Sequence, residues 1–184
     1  MKTLCHFLSI ILSLTLLSSS CKKEHVNQLS LLPPVTQTGA NTFGCLVNGQ
    51  ALVPGGPLFS MGHTQCNYIY TAGGFNLNVE ADNQNSNDFI KQVIVRTESL
   101  AVAQGQTLVF KIAHNGNADA LYAEITNSLD NIYLTNSLVS GQLTITKLDQ
   151  TNQIVSGTFY FNAVNSTGDT VKVTDGRFDM PYTR

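Results

Sequence analysis

Polar and apolar residues alternate along much of the chain after residue 40. Phe75, Leu77 and Val79 are separated by Asn76, Asn78 and Glu80, which predicts a strand with one buried face. Leu108, Phe110 and Ile112 alternate in the same way, as do Leu143 and Ile145 between threonines, then Phe159, Phe161 and Ala163. Val171 and Val173, then Phe178 and Met180, continue the pattern to the end. Shorter runs at 66–71 and 89–96, with Leu121, Ala123 and Ile125 and with Ile132 and Leu134, complete the set. A helix also fits 117–126, but no stretch after residue 40 keeps a 3.6-residue period.

Turn residues divide these runs. Phe43–Val47, Asn48-Gly49 and Gln50–Val53 read as a hairpin, because both residues of an Asn-Gly pair accept positive φ. Pro54–Pro57, Gly73-Gly74, Asp82–Asp88, Asn115-Gly116, Asp149–Gln153 and Asn165–Asp169 read as loops or turns. About ten strands joined this way predict an all-β, antiparallel sandwich or barrel. Near-continuous apolar runs and irregular spacing favour the sandwich, as a single domain over 41–184.

The first residues follow another pattern. Lys2 precedes an apolar run from Leu4 to Leu17, about 14 residues, the length of a signal-peptide core and shorter than the ~20 a membrane-spanning helix needs. Leu17-Ser18-Ser19-Ser20-Cys21 resembles a bacterial lipobox, with leucine four places before the cysteine rather than three. The resemblance implies that 1–20 are removed and that Cys21 carries acyl chains, each buried methylene contributing ~0.8 kcal/mol. An ordinary secretory signal, with Cys21 a bystander, is the other reading. Lys22, Lys23, Glu24 and a Pro33-Pro34 segment predict a flexible tether over 21–40. The expected location is the bacterial outer membrane, on its periplasmic face or the cell surface.

Seventeen asparagines and fourteen glycines suit strands with tight turns. Removing 1–20 takes away one lysine and no acid, leaving 164 residues with a net charge of −3. Weak charge without a basic cluster argues against nucleic acid. Cys45 and Cys66 remain in the expected domain. They form either a disulfide, as an oxidising compartment favours, or two separate buried thiols.

His63 and His114 have no metal-ligand spacing, and neither a Gly-x-Ser-x-Gly elbow nor a Ser-x-x-Lys motif occurs. Asp82–Asp88 offers oxygens at alternate positions but lacks the central glycine and closing glutamate of a calcium loop, so a polar hairpin loop is expected. Tyr68, Tyr70, Tyr122, Tyr133 and Tyr160 suit core packing or a platform for a glycan or protein. Asp169-Thr170-Val171 resembles the short O-glycosylation signal of exported Bacteroidota proteins, which would need Thr170 at an exposed turn edge.

Three blocks, Thr38–Gly49, Ser156–Ala163 and Val171–Asp179, together resemble a domain-of-unknown-function family of small Bacteroidota lipoproteins, over most of 38–182. The resemblance implies an exported β-domain behind a lipid anchor, with no catalytic residues. The expected function is non-catalytic binding or scaffolding in the envelope, without enzyme activity, cofactor or metal. The alternatives are a hydrolase using a scattered carboxylate pair and a structural accessory of an outer-membrane complex.

Overall fold

The computed structural model describes residues 26–56, 63–86, 89–126 and 130–184. The expected signal segment and Cys21 lie outside them. Eleven strands form a single sheet: β1 (Thr42–Val47), β2 (Gln50–Leu52), β3 (Thr64–Thr71), β4 (Gly74–Ser86), β5 (Phe89–Glu98), β6 (Thr107–Val109), β7 (Asn117–Thr126), β8 (Asp130–Leu134), β9 (Gly141–Asp149), β10 (Ile154–Val164) and β11 (Thr170–Pro181). The main path runs β2-β1-β11-β10-β8-β7-β5-β4-β3, with β9 on β10 and β6 on β9. Every strand pair is antiparallel.

The sheet folds over on itself as a β-sandwich. Its buried interior includes Phe43, Leu77, Val79, Val93, Val95, Phe110, Tyr122, Leu143, Ile145, Phe159, Phe161 and Phe178. Three isolated parallel bridges add cross-links: Gly55 to Asn83, Asn67 to Thr183, and Phe110 to Ala118. Asn48 and Gly49 take the positive φ values of 48° and 78° that the hairpin required.

The chain reversals sort to two ends. Turns at 48–49 and 165–169 lie together, joined by the bond from Asn48 N–H to Lys172 O, 2.8 Å. The 72–73 and 150–153 turns and the last residues lie at the other end, as the alternating strand directions require.

Several expectations change. Residues 117–126 form the expected strand rather than the alternative helix, but with the other face inward. Its inward residues are Ala118, Ala120 and Tyr122 rather than Leu121, Ala123 and Ile125, because Ala120 and Tyr122 pair with the buried Val95 and Val93. Ile112, Ile132 and Leu134 face outward at 63%, 47% and 46% exposure. The turn after β3 uses Ala72-Gly73, both at positive φ, and Gly74 begins β4. Asp82–Ser86 continue β4, paired with β5, so most of the expected loop is strand; Asn87 and Asp88 lie outside the described residues.

The tether also differs. From Gln28 to Ala40 the chain lies along the sheet as a strap. It opens with a short 3-10 turn, Gln28–Leu31, capped by the Asn27 side chain. The Ala51 N–H donates to Gln28 Oε1 at 3.0 Å, and Leu32 is buried. Pro33 packs so closely on Gly44 that a Cβ there would lie 2.6 Å from Pro33 Cδ. Lys147 Nζ donates to the Gln37 carbonyl at 3.1 Å. The strap thus runs from the 48–49 end to the opposite end, where Asp179 grips it.

Candidate functional site: an aromatic pocket at one end of the sandwich

β3 alternates Cys66, Tyr68 and Tyr70 on one face, and β4 returns with Phe75 opposite Tyr70. The C-terminal segment beyond β11 runs alongside β3, with Tyr68 N–H donating to Thr183 O at 2.9 Å and Thr183 N–H to Cys66 O at 3.1 Å. This brings Tyr182 beside Tyr68. The rings form a chain: Tyr68 meets Tyr182 edge-on at 5.8 Å, Phe75 stacks on Tyr68 at 5.0 Å, and Tyr70 meets Phe75 edge-on at 5.1 Å.

Burial grades along this chain. Tyr182 and Tyr68 are buried, while Phe75 is 39% and Tyr70 63% exposed. The inner ring is fixed further, since Tyr68 Oη accepts from Val102 N–H at 3.1 Å. Gln150 and Arg184 complete a concave pocket of about 270 Å³. Arg184 donates to the Gln150 carbonyl and so joins the C-terminus to the 150–153 turn. An exposed ring pair over fixed aromatics, with a guanidinium and an amide at the rim, offers stacking and polar contacts together.

The other tyrosines do not join this site. Tyr122 is buried and donates to Glu124 at 2.8 Å; burial, reinforced by that bond, raises its phenol above the ordinary range. Tyr133 packs against it at 5.8 Å. Tyr160 stands half exposed on the outer face beside Val35, Asp175 and Arg177. Tyr182 was missed in the sequence, and Phe75 was expected inside. A tyrosine two residues beyond Met180, in the same alternation, is the signal that could have found Tyr182.

Cys45 and Cys66 are free and buried, so the disulfide reading gives way to that of two separate thiols. Burial pushes each up to about 12, leaving almost no thiolate at neutral pH. Thr170 begins β11 and is exposed beside the 165–169 turn. His63 Nδ1 lies 2.8 Å from Asp82 Oδ1, and Asn83 donates to the Val53 carbonyl at 2.7 Å. His114 Nδ1 lies 2.8 Å from the Asn115 carbonyl. Among the described residues, no group of three His, Cys, Asp or Glu side chains is placed to hold a metal ion.

Two carboxylates do converge. Arg96 Nε is 2.9 Å from Asp119 Oδ2, and Arg96 Nη2 is 3.7 Å from Glu98 Oε1. Burial raises the Asp119 carboxyl above its ordinary range; Arg96 opposes this and Glu98 adds to it. The Asp119 side chain is only 3% exposed, and the guanidinium pairs with both acids.

A family model described as Domain of unknown function (DUF6252) matches residues 65–180. The chain belongs to this family. The DUF6252 match runs from β3 to the penultimate residue of β11 and takes in Tyr68, Tyr70, Phe75 and Gln150; the strap and the β1–β2 hairpin precede it, and Tyr182 and Arg184 follow it. No curated protein and no solved structure matches the chain.

Proposed function

We propose that this DUF6252 protein is a lipid-anchored envelope protein whose sandwich is a non-catalytic binding module. Acyl chains on Cys21 would hold it at the outer membrane, and the aromatic pocket would take the ligand. One observation carries the binding reading: Tyr70 and Phe75 are exposed although Tyr68 and Tyr182 are buried directly behind them. The pocket also lies at the end opposite the first described residues. Lys172 is beside Asn48 at one end and Tyr182 at the other, a separation on the order of 30 Å along the strand. A ligand there would approach from the side away from the bilayer.

The test has two arms. Labelled fatty acid should enter the wild type but not Cys21→Ala; equal labelling would reject the anchor. On an array of glycans and envelope proteins, a bound probe should be lost by Tyr70→Ala with the fold intact. Binding unaffected by Tyr70→Ala and Phe75→Ala would reject the pocket.

The accessory reading has its own support. β8 pairs with β7 along its length but with β10 only at Leu134–Val164. A groove of about 530 Å³ beside it is lined by Ile112, Ile132, Leu134 and Val164. An added strand could pair there.

A further inference from the structure

The strap begins with unusually exposed apolar side chains. Val26 is 53%, Leu29 45% and Leu31 50% exposed. Isolated exposed apolar residues are ordinary, but these three fall within six residues. Val26 and Leu29 also line one groove with Leu46 of β1, about 360 Å³, bounded by Gly49 and Gln50 at the hairpin tip. The chain positions this surface firmly: Asn27 Oδ1 accepts from Leu29 N–H at 3.1 Å, and Gln28 holds Ala51.

We infer that this surface, formed by Val26, Leu29 and Leu46, rests on the lipid bilayer. The inference builds on the Cys21 anchor proposed above. Its occupant follows from chain length. Four residues lie between Cys21 and Val26, so the two Cα atoms, five steps apart, are separated by at most about 18 Å whatever the conformation. A free 20-residue tether would let the domain stand several times farther away. Because the strap is fastened from Gln28 onward, the apolar surface cannot leave the neighbourhood of the headgroups. Apolar side chains held there gain by entering the interface, as the apolar face of an interfacial helix does. The membrane thus fixes the orientation of the sandwich, and the aromatic pocket points away.

The acylated mature protein in vesicles of phosphatidylethanolamine and phosphatidylglycerol tests this. An environment-sensitive fluorophore is attached at Leu29→Cys, at Val26→Cys, or at Thr151→Cys in the 150–153 turn. Cys45 and Cys66 are too buried to compete for the label. The first two reporters should shift to the blue and lose most emission to brominated lipid, while the Thr151 reporter stays in water. Equal solvent exposure at both ends would overturn the inference. So would a Leu29 reporter shielded from water but untouched by brominated lipid, with shielding that rises with protein concentration; that pattern means a second copy covers the groove. The intact mass separates this from failure of the anchor. If no acyl group is found, the same reporters on the unacylated chain carrying Cys21→Ser, with added vesicles, decide the surface alone: a shift at Leu29 and Val26 supports it, and none rejects it.

Discussion

Asp179 on β11 and Asp119 on β7 are both screened from water, yet their surroundings act in opposite directions. Asp179 has six donors and, among the described residues, no cation paired with it. Thr36 Oγ1, Thr38 N–H, Thr38 Oγ1, Gly39 N–H, Ala40 N–H and Ser156 Oγ donate to it at 2.7, 2.8, 3.3, 2.8, 3.2 and 2.8 Å. Burial opposes its ionisation, but these bonds outweigh burial and hold the carboxyl well below the usual range. Asp119 has a full counter-charge in Arg96, 2.9 Å away, and still rises because burial dominates. The fixed dipoles around Asp179 therefore overcome its burial, whereas one guanidinium, itself a third exposed, does not overcome that of Asp119. The two sites also act on different things. Five of the six donors at Asp179 come from the strap, so the charge fastens a segment about 140 residues away in sequence; Arg96 and Asp119 sit directly opposite one another in adjacent strands.

The sharpest test replaces the carboxylate with an amide. Asp179→Asn turns one acceptor oxygen into a donor facing other donors. A loss of about 3 kcal/mol is expected, read as a lower urea midpoint, with fast hydrogen exchange at 36–40. Unchanged exchange there would break the comparison.

Arg96→Met should cost about 2 kcal/mol, since it strands the buried Asp119 carboxylate while removing a partner that is itself a third exposed. Arg96→Met with Asp119→Leu should recover most of that loss; additive losses would mean the pair is not a unit.

Acid sharpens the contrast. The lowered Asp179 contributes stability that is present above its unfolded pKa, about 3.9, and is lost as pH falls from there toward its folded value. The raised Asp119 works the other way: the folded state binds its proton more tightly, so acidification relieves a cost. Asp179→Asn should flatten the loss of stability below about pH 4, and Asp119→Asn should remove a gain that acidification brings above about pH 4, by denaturant titration across pH.

Gly44→Ala is the mildest strap variant, because Pro33 can lift away. We expect about 1 kcal/mol and partial exposure of 28–34 to protease, with 36–40 still protected.

The Asn48-Gly49 hairpin and the Leu77–Val79 face were legible because local chemistry settles them. β7 was not. Apolar residues occupy both of its faces, so a period of two cannot say which is buried, and only pairing with Val93 and Val95 decides. The asparagines of 82–86 favour turns, but pairing with β5 overrides that preference. The strap shows no periodicity because its grip on the sheet is a distant aspartate rather than an apolar stripe. Tyr68 and Tyr70 stood out as aromatics, whereas the pocket they share with Tyr182 depends on the bridge between Asn67 and Thr183.

The order of fastenings along the strap has a mechanical consequence. If a bound object were dragged from the aromatic end while Cys21 stayed fixed, the pull would peel Gln28 from Ala51, then Pro33 from Gly44, and reach the Asp179 cluster last. Yielding would pay out slack on the order of 10 Å, the roughly 40 Å contour of residues 28–40 less the roughly 30 Å they already span, before any strand parted. Single-molecule pulling from the two ends should record that step ahead of unfolding, and Asp179→Asn should bring it to lower force.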